Sequence, residues 1–379
     1  MIIRFLPLGL IVVLGSFLGC TATMAAQKLD VAIPVFDPGI PQKYEDQEKQ
    51  GIYPDVRRAE SRYLAVQLAA MMTESGRWGA VRVMPSRKNV ISDVVVHITI
   101  EESTGGSLKL AMSSFDSTGK KIVNKKYKGK VHPRFYRDGR KKTIDPYRPV
   151  LAEVAADLYY KVLMYNDKKL SRVKNTTKMR YAIEIAPEAF EGMVKVSNRK
   201  GTRYKIKSMP ADNDPMMQRI SMLKLRDDMF TDAMQITFSN FATNMSADYR
   251  QWREANSIEY AAMREAKKKA NARIWGGILA AVAGTVVATQ TNGSVGDAAA
   301  IGLIGGGAVG VASGIKKNKQ AKQYRSMMSE HTSSFDKALE PQVIEIENET
   351  ETLTGTISDQ FQQFRNLLAR VYASETYAS

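Results

Sequence analysis

The sequence predicts an α+β protein: a small β-α-β-β-β-β-α domain, then a long-helix domain carrying a glycine-zipper helical hairpin. Three observations predict it. Between Leu29 and Tyr127, short runs alternate in polarity and stop at Asp37-Pro38-Gly39, Gly105-Gly106 and Ser117-Thr118-Gly119, as strands joined by tight turns do. From Met179 the apolar spacing changes to three, four and seven, the spacing of a helix face. Residues 274–315 are apolar and small, with Asp297 their only charge. There Gly276, Ala280, Gly284 and Ala288 recur every fourth residue, and so do Ala298, Gly302, Gly306, Gly310 and Gly314.

The chain opens on an export signal over residues 1–19. Arg4 supplies its positive start and Leu8 to Leu14 its apolar core. Ser16-Phe17-Leu18-Gly19-Cys20 then resembles a bacterial lipobox, with Phe17 standing where leucine is usual. The resemblance implies that Cys20 is lipidated, with palmitate-type chains, and becomes the mature N-terminus. Residues 20–27 are then a lipidated tether. Thr21 stands in place of the aspartate of inner-membrane retention signals, which implies the periplasmic face of the outer membrane. The ordinary alternative is signal cleavage near Ala25-Ala26. A single cysteine excludes an internal disulfide and a thiolate metal cluster.

Residues 28–167 read as one domain. Leu29 to Phe36 is a strand ending in the Asp-Pro-Gly turn. Arg57 to Glu74 carries Leu64, Leu68, Met71 and Met72 on a helical face, closed by Gly76. Trp78 to Met84 is a short strand. Val94 to Ile100, Leu108 to Met112 and Lys120 to Tyr127 follow as a meander of strands. Asp145-Pro146 starts a helix with Val150, Leu151, Val154, Leu158 and Val162 on one side. These strands and two amphipathic helices suffice for one core, so the domain is expected to fold alone.

This element order, with the Asp-Pro-Gly ending and the Trp78-Gly-Ala-Val-Arg-Val83 strand, resembles periplasmic domains of the TolB N-terminal and curli-secretion-lipoprotein type. The resemblance covers about the first 165 residues of the sequence. It implies an envelope assembly or docking module rather than an enzyme, and assigns no functional residue. Arg134 to Lys142 is a basic insertion; it reads as a solvated loop, with Phe135 and Tyr136 available to head groups or glycan.

Residues 178–273 read as a helical domain and stalk. Its apolar stripe is Ile220, Leu223, Phe230, Met234, Phe241 and Met245, a bundle core or a coiled-coil seam, and Asn256-Ser257 is a candidate break. On a helix each four-residue glycine series forms a groove with almost no side chain. Such grooves let helix backbones approach closely in lipid. Gln290 to Ser294 is the turn between the two arms of the 274–315 hairpin. Each arm is shorter than the ~20 residues that cross a bilayer, so shallow insertion or assembly with other copies is expected. A flexible glycine–alanine linker is the bland alternative. Lys267, Lys268, Lys269 and Arg273 precede the segment, and Lys316, Lys317 and Lys319 follow it, placed to meet anionic head groups. Residues 316–340 form a return stalk helix. Residues 341–379 form a strand and an amphipathic helix with Ile357, Phe361, Phe364, Leu367, Leu368 and Val371.

The formal charge of +16 favours anionic partners, such as lipid head groups or cell-wall polymers. The bases are spread along the chain and do not interleave with aromatics, which speaks against nucleic acid. His97, His132 and His331 stand apart, with no metal-ligand spacing, so no metal is expected. No nucleophile elbow or phosphate loop is present, and neither a catalytic residue nor a cofactor is assigned. Two functions follow from the pattern. One is a structural, homo-oligomeric envelope lipoprotein with protein partners in the envelope. The other is a subunit of an outer-membrane secretion or transport complex. The polar groups of the hairpin cluster at its tip, which favours anchoring over a lumen.

Overall fold

The computed structural model describes residues 28–132, 134–137, 144–198, 202–211, 213–288, 318–337, 340–346 and 349–376. Its class is α+β. A five-stranded sheet is built from β1 (Val31–Pro34), β2 (Val81–Met84), β3 (Val94–Ser103), β4 (Ser107–Asp116) and β5 (Lys121–Lys130). Their spatial order is β2-β1-β3-β4-β5. β1 runs parallel to both β2 and β3, while β3, β4 and β5 form an antiparallel meander. Gly105 and Gly119, with φ of 73° and 80°, make its turns in the left-handed region that side chains avoid. Asp37 closes the turn after β1 by accepting from the Gly39 N–H at 2.9 Å.

Alternation sends Val96, Ile98, Ile100, Leu108, Leu110 and Met112 to one face of the sheet, all buried. That face is covered by α2 (Pro54–Glu74) and α4 (Arg148–Leu163), each with proline in its first turn. Gly129 lies directly beneath α4, where a β-carbon would fall 2.2 Å from Val150 Cγ2. Two short helices, α1 (Tyr44–Gln50) and α3 (Arg134–Arg137), stand in the connections, and α3 opens the stretch from Arg134 that reads as a loop in the sequence.

The Asn166 side chain caps α5 (Asp167–Ile185) by accepting from the Lys169 N–H. A ribbon of β6 (Val194–Ser197) and β7 (Arg203–Ile206) leads to α6 (Pro215–Ala288). α6 has 74 residues and is about 110 Å long at ~1.5 Å per residue. α7 (Asn318–Asp336) returns antiparallel along it: Phe335 packs on Phe238 and Phe241, and His331 meets Asp248 farther along. A second ribbon, β8 (Gln342–Ile346) with β9 (Glu349–Leu353), precedes α8 (Ile357–Thr376).

Four expectations need correction. Asn256-Ser257 does not break α6; Asn256 is buried and the helix is continuous. The one strand expected within residues 341–379 is a pair, β8 with β9, and Arg370 holds β9 through Glu349 and Glu351. Tyr136 is not offered to head groups: it is buried, and its hydroxyl donates to the Gly105 carbonyl at 2.5 Å. The division at residue 167 is not a boundary of packing. Met234, Phe238, Phe241, Met245, Tyr249 and Trp252 of α6, with Met328 of α7, belong to the same buried cluster as the sheet, α2 and α4. The reason is the width of the apolar face of α2. Tyr63, Leu64, Ala65, Leu68, Ala69 and Met72 are all buried, more than a sheet covers from one side. α2 therefore lies between the sheet and the α6–α7 pair. α5 also crosses the division, with Val173 in that cluster and Met179, Tyr181, Ala182 and Ile185 in a second one with α8.

Candidate functional site

The sequence points to α6 and the hairpin beyond it. Lys267, Lys268, Lys269 and Arg273, then Gly276, Ala280, Gly284 and Ala288, all lie on the continuous helix α6. The four small residues, four apart on a helix, share one side of it. Lys319 lies in the first turn of α7. Cys20, the remaining series Ala298, Gly302, Gly306, Gly310 and Gly314, and Lys316 and Lys317 lie outside the described residues. Among the described residues no helix is long and apolar enough to cross a membrane.

A buried polar junction joins α6 to the α+β body beside the apolar packing. Arg253, 2% exposed, donates to both carboxylate oxygens of Asp145 at 2.9 and 3.0 Å. Its guanidinium also lies 4.0 Å from the Tyr249 ring centre and 5.1 Å from that of Tyr147. Burial alone would raise the Asp145 pKa. The Arg253 charge and its bonds, the Tyr147 N–H and the Tyr63 hydroxyl outweigh burial and hold the carboxyl below its ordinary value. The backbones are equally close here: a β-carbon on Gly105 would fall 1.9 Å from the Arg253 carbonyl oxygen.

One layer deeper sits Glu60, fully buried. It accepts from the Ser103 hydroxyl at 2.6 Å and the Tyr249 hydroxyl at 2.9 Å, and pairs with Arg57 at 3.3 Å. Burial raises its pKa, and the charge of Arg57 and the hydroxyl donors offset only part of that. A carboxyl enclosed in this way serves to join α2, β3 and α6, because no atom of it faces solvent.

Two further contacts fix the first half of α6. Arg82 on β2 donates to both oxygens of Asp232 at 2.6 and 2.9 Å and pairs with Asp228 at 3.0 Å. Arg365 on α8 pairs with Glu184 at 3.0 Å and lies 3.8 Å from buried Asp227. Burial raises the pKa of both carboxyls, and Arg365 opposes that at each.

Two clefts open beside these contacts. One, of about 1110 Å³, runs between α2 and α6 and is lined by Gln67, Met71, Tyr136, Arg148, Arg250 and Glu254 among others. The other, of about 860 Å³, lies on the sheet face that α2 and α4 leave uncovered and includes His97, Phe115, Arg180 and Tyr204. His97 stands edge-on to Phe115, and burial with the Arg87 charge lowers its pKa. Among the described residues no group of three or more His, Cys, Asp or Glu is placed to hold a metal ion.

Of the junction residues the sequence singles out only Asp145, and as a helix start rather than as a partner of Arg253. Arg253 stands 108 positions from Asp145 and 193 from Glu60 in the chain. The legible signal was Tyr249, Trp252 and Asn256, which continue the inward spacing of Met245 and place Arg253 beside a buried stripe. Comparison of the chain with protein-family models, with curated proteins and with solved structures finds no match.

Proposed function

We propose that this chain is a non-enzymatic structural lipoprotein of the cell envelope. In this reading acyl chains on Cys20 and the glycine-patterned segment hold it to the periplasmic face of the outer membrane. Its α+β body then serves as a docking or scaffolding module, the role implied by its resemblance to TolB N-terminal and curli-secretion-lipoprotein domains. The observation that carries this reading is the continuity of α6. One helix joins a buried anchor at Arg253 to the basic run Lys267 to Arg273 and the small-residue series ending at Ala288. A helix clamped along its first half as far as Arg253 by bonded, partly or wholly buried charges transmits position and force to its second half as a rod. One acyl chain binds only reversibly while several hold stably, so the chains on Cys20 are expected to keep the protein at the membrane even without the hairpin.

The test compares Cys20→Ser, Gly306→Leu and Val309→Leu in membranes, scoring acylation by mass spectrometry and hairpin exposure by protease. Leucine at Gly306 improves helix propensity by up to about 1 kcal/mol yet separates backbones that need close approach. The expected result is loss of protection with Gly306→Leu alone, and loss of the acyl-modified peptide with Cys20→Ser. Absence of that peptide in the unaltered protein removes the lipoprotein reading. Equal protection of both leucine variants reduces the segment to a linker.

A further inference from the structure

We propose that the outer side of α6 between Met222 and Ile236 is a self-association seam, which pairs two copies of the chain in parallel. α6 is apolar on two opposite sides here. Leu223, Met234, Phe238 and Phe241 face the body and are buried. Met222, Leu225, Met229 and Ile236 face away and are 60–64% exposed. A surface helix of a single body has one apolar side; a second one calls for a second partner. The spacing identifies the kind of partner. Met222, Met229 and Ile236 are seven apart and Leu225 follows Met222 by three, the spacing of residues that knob into a neighbouring helix. The position that completes the second heptad is Asp232. Its carboxylate is turned onto Arg82, so the seam carries no unpaired charge there.

Three arguments favour a second copy over any other occupant. The first is self-complementarity, since a two-fold axis parallel to α6 lays Met222, Leu225, Met229 and Ile236 on themselves. The second is alignment with the glycine series of the same helix. Ile258, itself 60% exposed, follows Met222 by about ten turns, and Gly276 by about fifteen, at ~3.6 residues per turn. One neighbouring helix would therefore meet the seam, Ile258 and the start of the small-residue groove. The third is area. The four side chains offer on the order of 450 Å² per copy, so two seams bury about 900 Å², just under what a stable interface requires. Such a seam is of the weak, transient class, which a disulfide traps as copies meet. The parallel sense rests on the reading above, in which all copies stand in the same membrane. The seam itself does not.

The experiment uses the full chain carrying Cys20→Ser in mild detergent, so that an introduced cysteine is the sole thiol. In a parallel pair Met229 faces its own copy, so Met229→Cys forms a disulfide-linked dimer. Met164→Cys, 82% exposed at the end of α4 and outside the seam, forms little. Adding Leu225→Lys weakens association by about tenfold or more and reduces the Met229→Cys yield accordingly. The dimer yield is expected to persist with Gly284→Leu, which disturbs the small-residue groove and not the seam. Persistence alongside lost hairpin protection would separate a working seam from a failed membrane reading. A Met229→Cys yield no higher than that of Met164→Cys overturns the seam, and so does a yield that vanishes with Gly284→Leu. Protection of the Met229→Cys thiol from maleimide by vesicles, without dimer, would put lipid on the stripe and also overturn it.

Discussion

The carboxamide of Gln235 occupies the place of a neighbouring strand beside Val83. Its Oε1 accepts from the Val83 N–H at 2.8 Å, and its Nε2 donates to the Val83 carbonyl at 3.0 Å. β2 is an edge strand, and an unpaired edge invites strands from other chains. α6 closes it with one side chain, while Arg82 on the same strand holds Asp228 and Asp232. The long helix is thus part of the sheet's boundary as well as of its core.

Gln235→Leu keeps the volume and removes both bonds. The cost expected is about 1–3 kcal/mol, because Val83 is buried and water reaches its backbone poorly. Hydrogen exchange at the Val83 amide is the direct measure. Unchanged protection there would show that the edge does not depend on Gln235.

Removing one partner of the buried pair is expected to be costly. Arg253→Met leaves Asp145 charged and enclosed, and should lose about 3–5 kcal/mol. Asp145→Leu with Arg253→Met should lose less than the two single changes added together, since it removes the stranded charge. Urea unfolding followed by tryptophan fluorescence reports it, with Trp252 at the junction. Strict additivity would show that the two groups do not act as a pair.

The same pair sets a pH dependence. Asp145 titrates below its ordinary value of 3.8 in the fold. Its stabilisation is therefore complete above that value and is lost as pH falls through the depressed one. Glu60, raised above 4.5 by burial, acts oppositely and lowers stability as pH rises from 4.5 towards its raised value. The stability difference between the unaltered protein and Asp145→Asn should be largest near neutrality and shrink below about pH 3.8. A difference that stays constant down to about pH 2 would assign the effect to packing rather than charge.

The fragment 28–167 lacks Met234, Phe238, Phe241, Met245, Tyr249 and Trp252, which complete its core. Expressed alone, it should bind hydrophobic dyes and unfold without a cooperative transition. Sharp thermal unfolding of the fragment would restore the division at residue 167.

Lys267, Lys268, Lys269 and Arg273 are expected to contribute about 1 kcal/mol each beside anionic head groups. With Cys20→Ser, vesicle binding should weaken with salt, and further with Lys267→Gln, Lys268→Gln and Lys269→Gln. Salt-insensitive binding would remove the electrostatic contribution.

The sequence by itself determined what is local. Alternation marked the meander, since side chains of a strand point to opposite faces, and glycine marked its turns at Gly105 and Gly119. The three-and-four spacing marked the buried side of α6, and Phe361, Phe364, Leu367 and Leu368 that of α8. The four-residue interval of small residues was legible without coordinates. Only the tertiary structure decided which elements share a core. α2 is covered on two sides, and nothing in the order of residues says that its second cover arrives from α6 and α7, more than 150 positions later. It also decided the polar partners. Arg253 with Asp145, Glu60 with Tyr249 and Gln235 with Val83 have no spacing rule, because each pair meets through the packing of separate elements. Burial then makes those few bonds costly to break, so contacts unreadable in the chain fix where its longest helix stands.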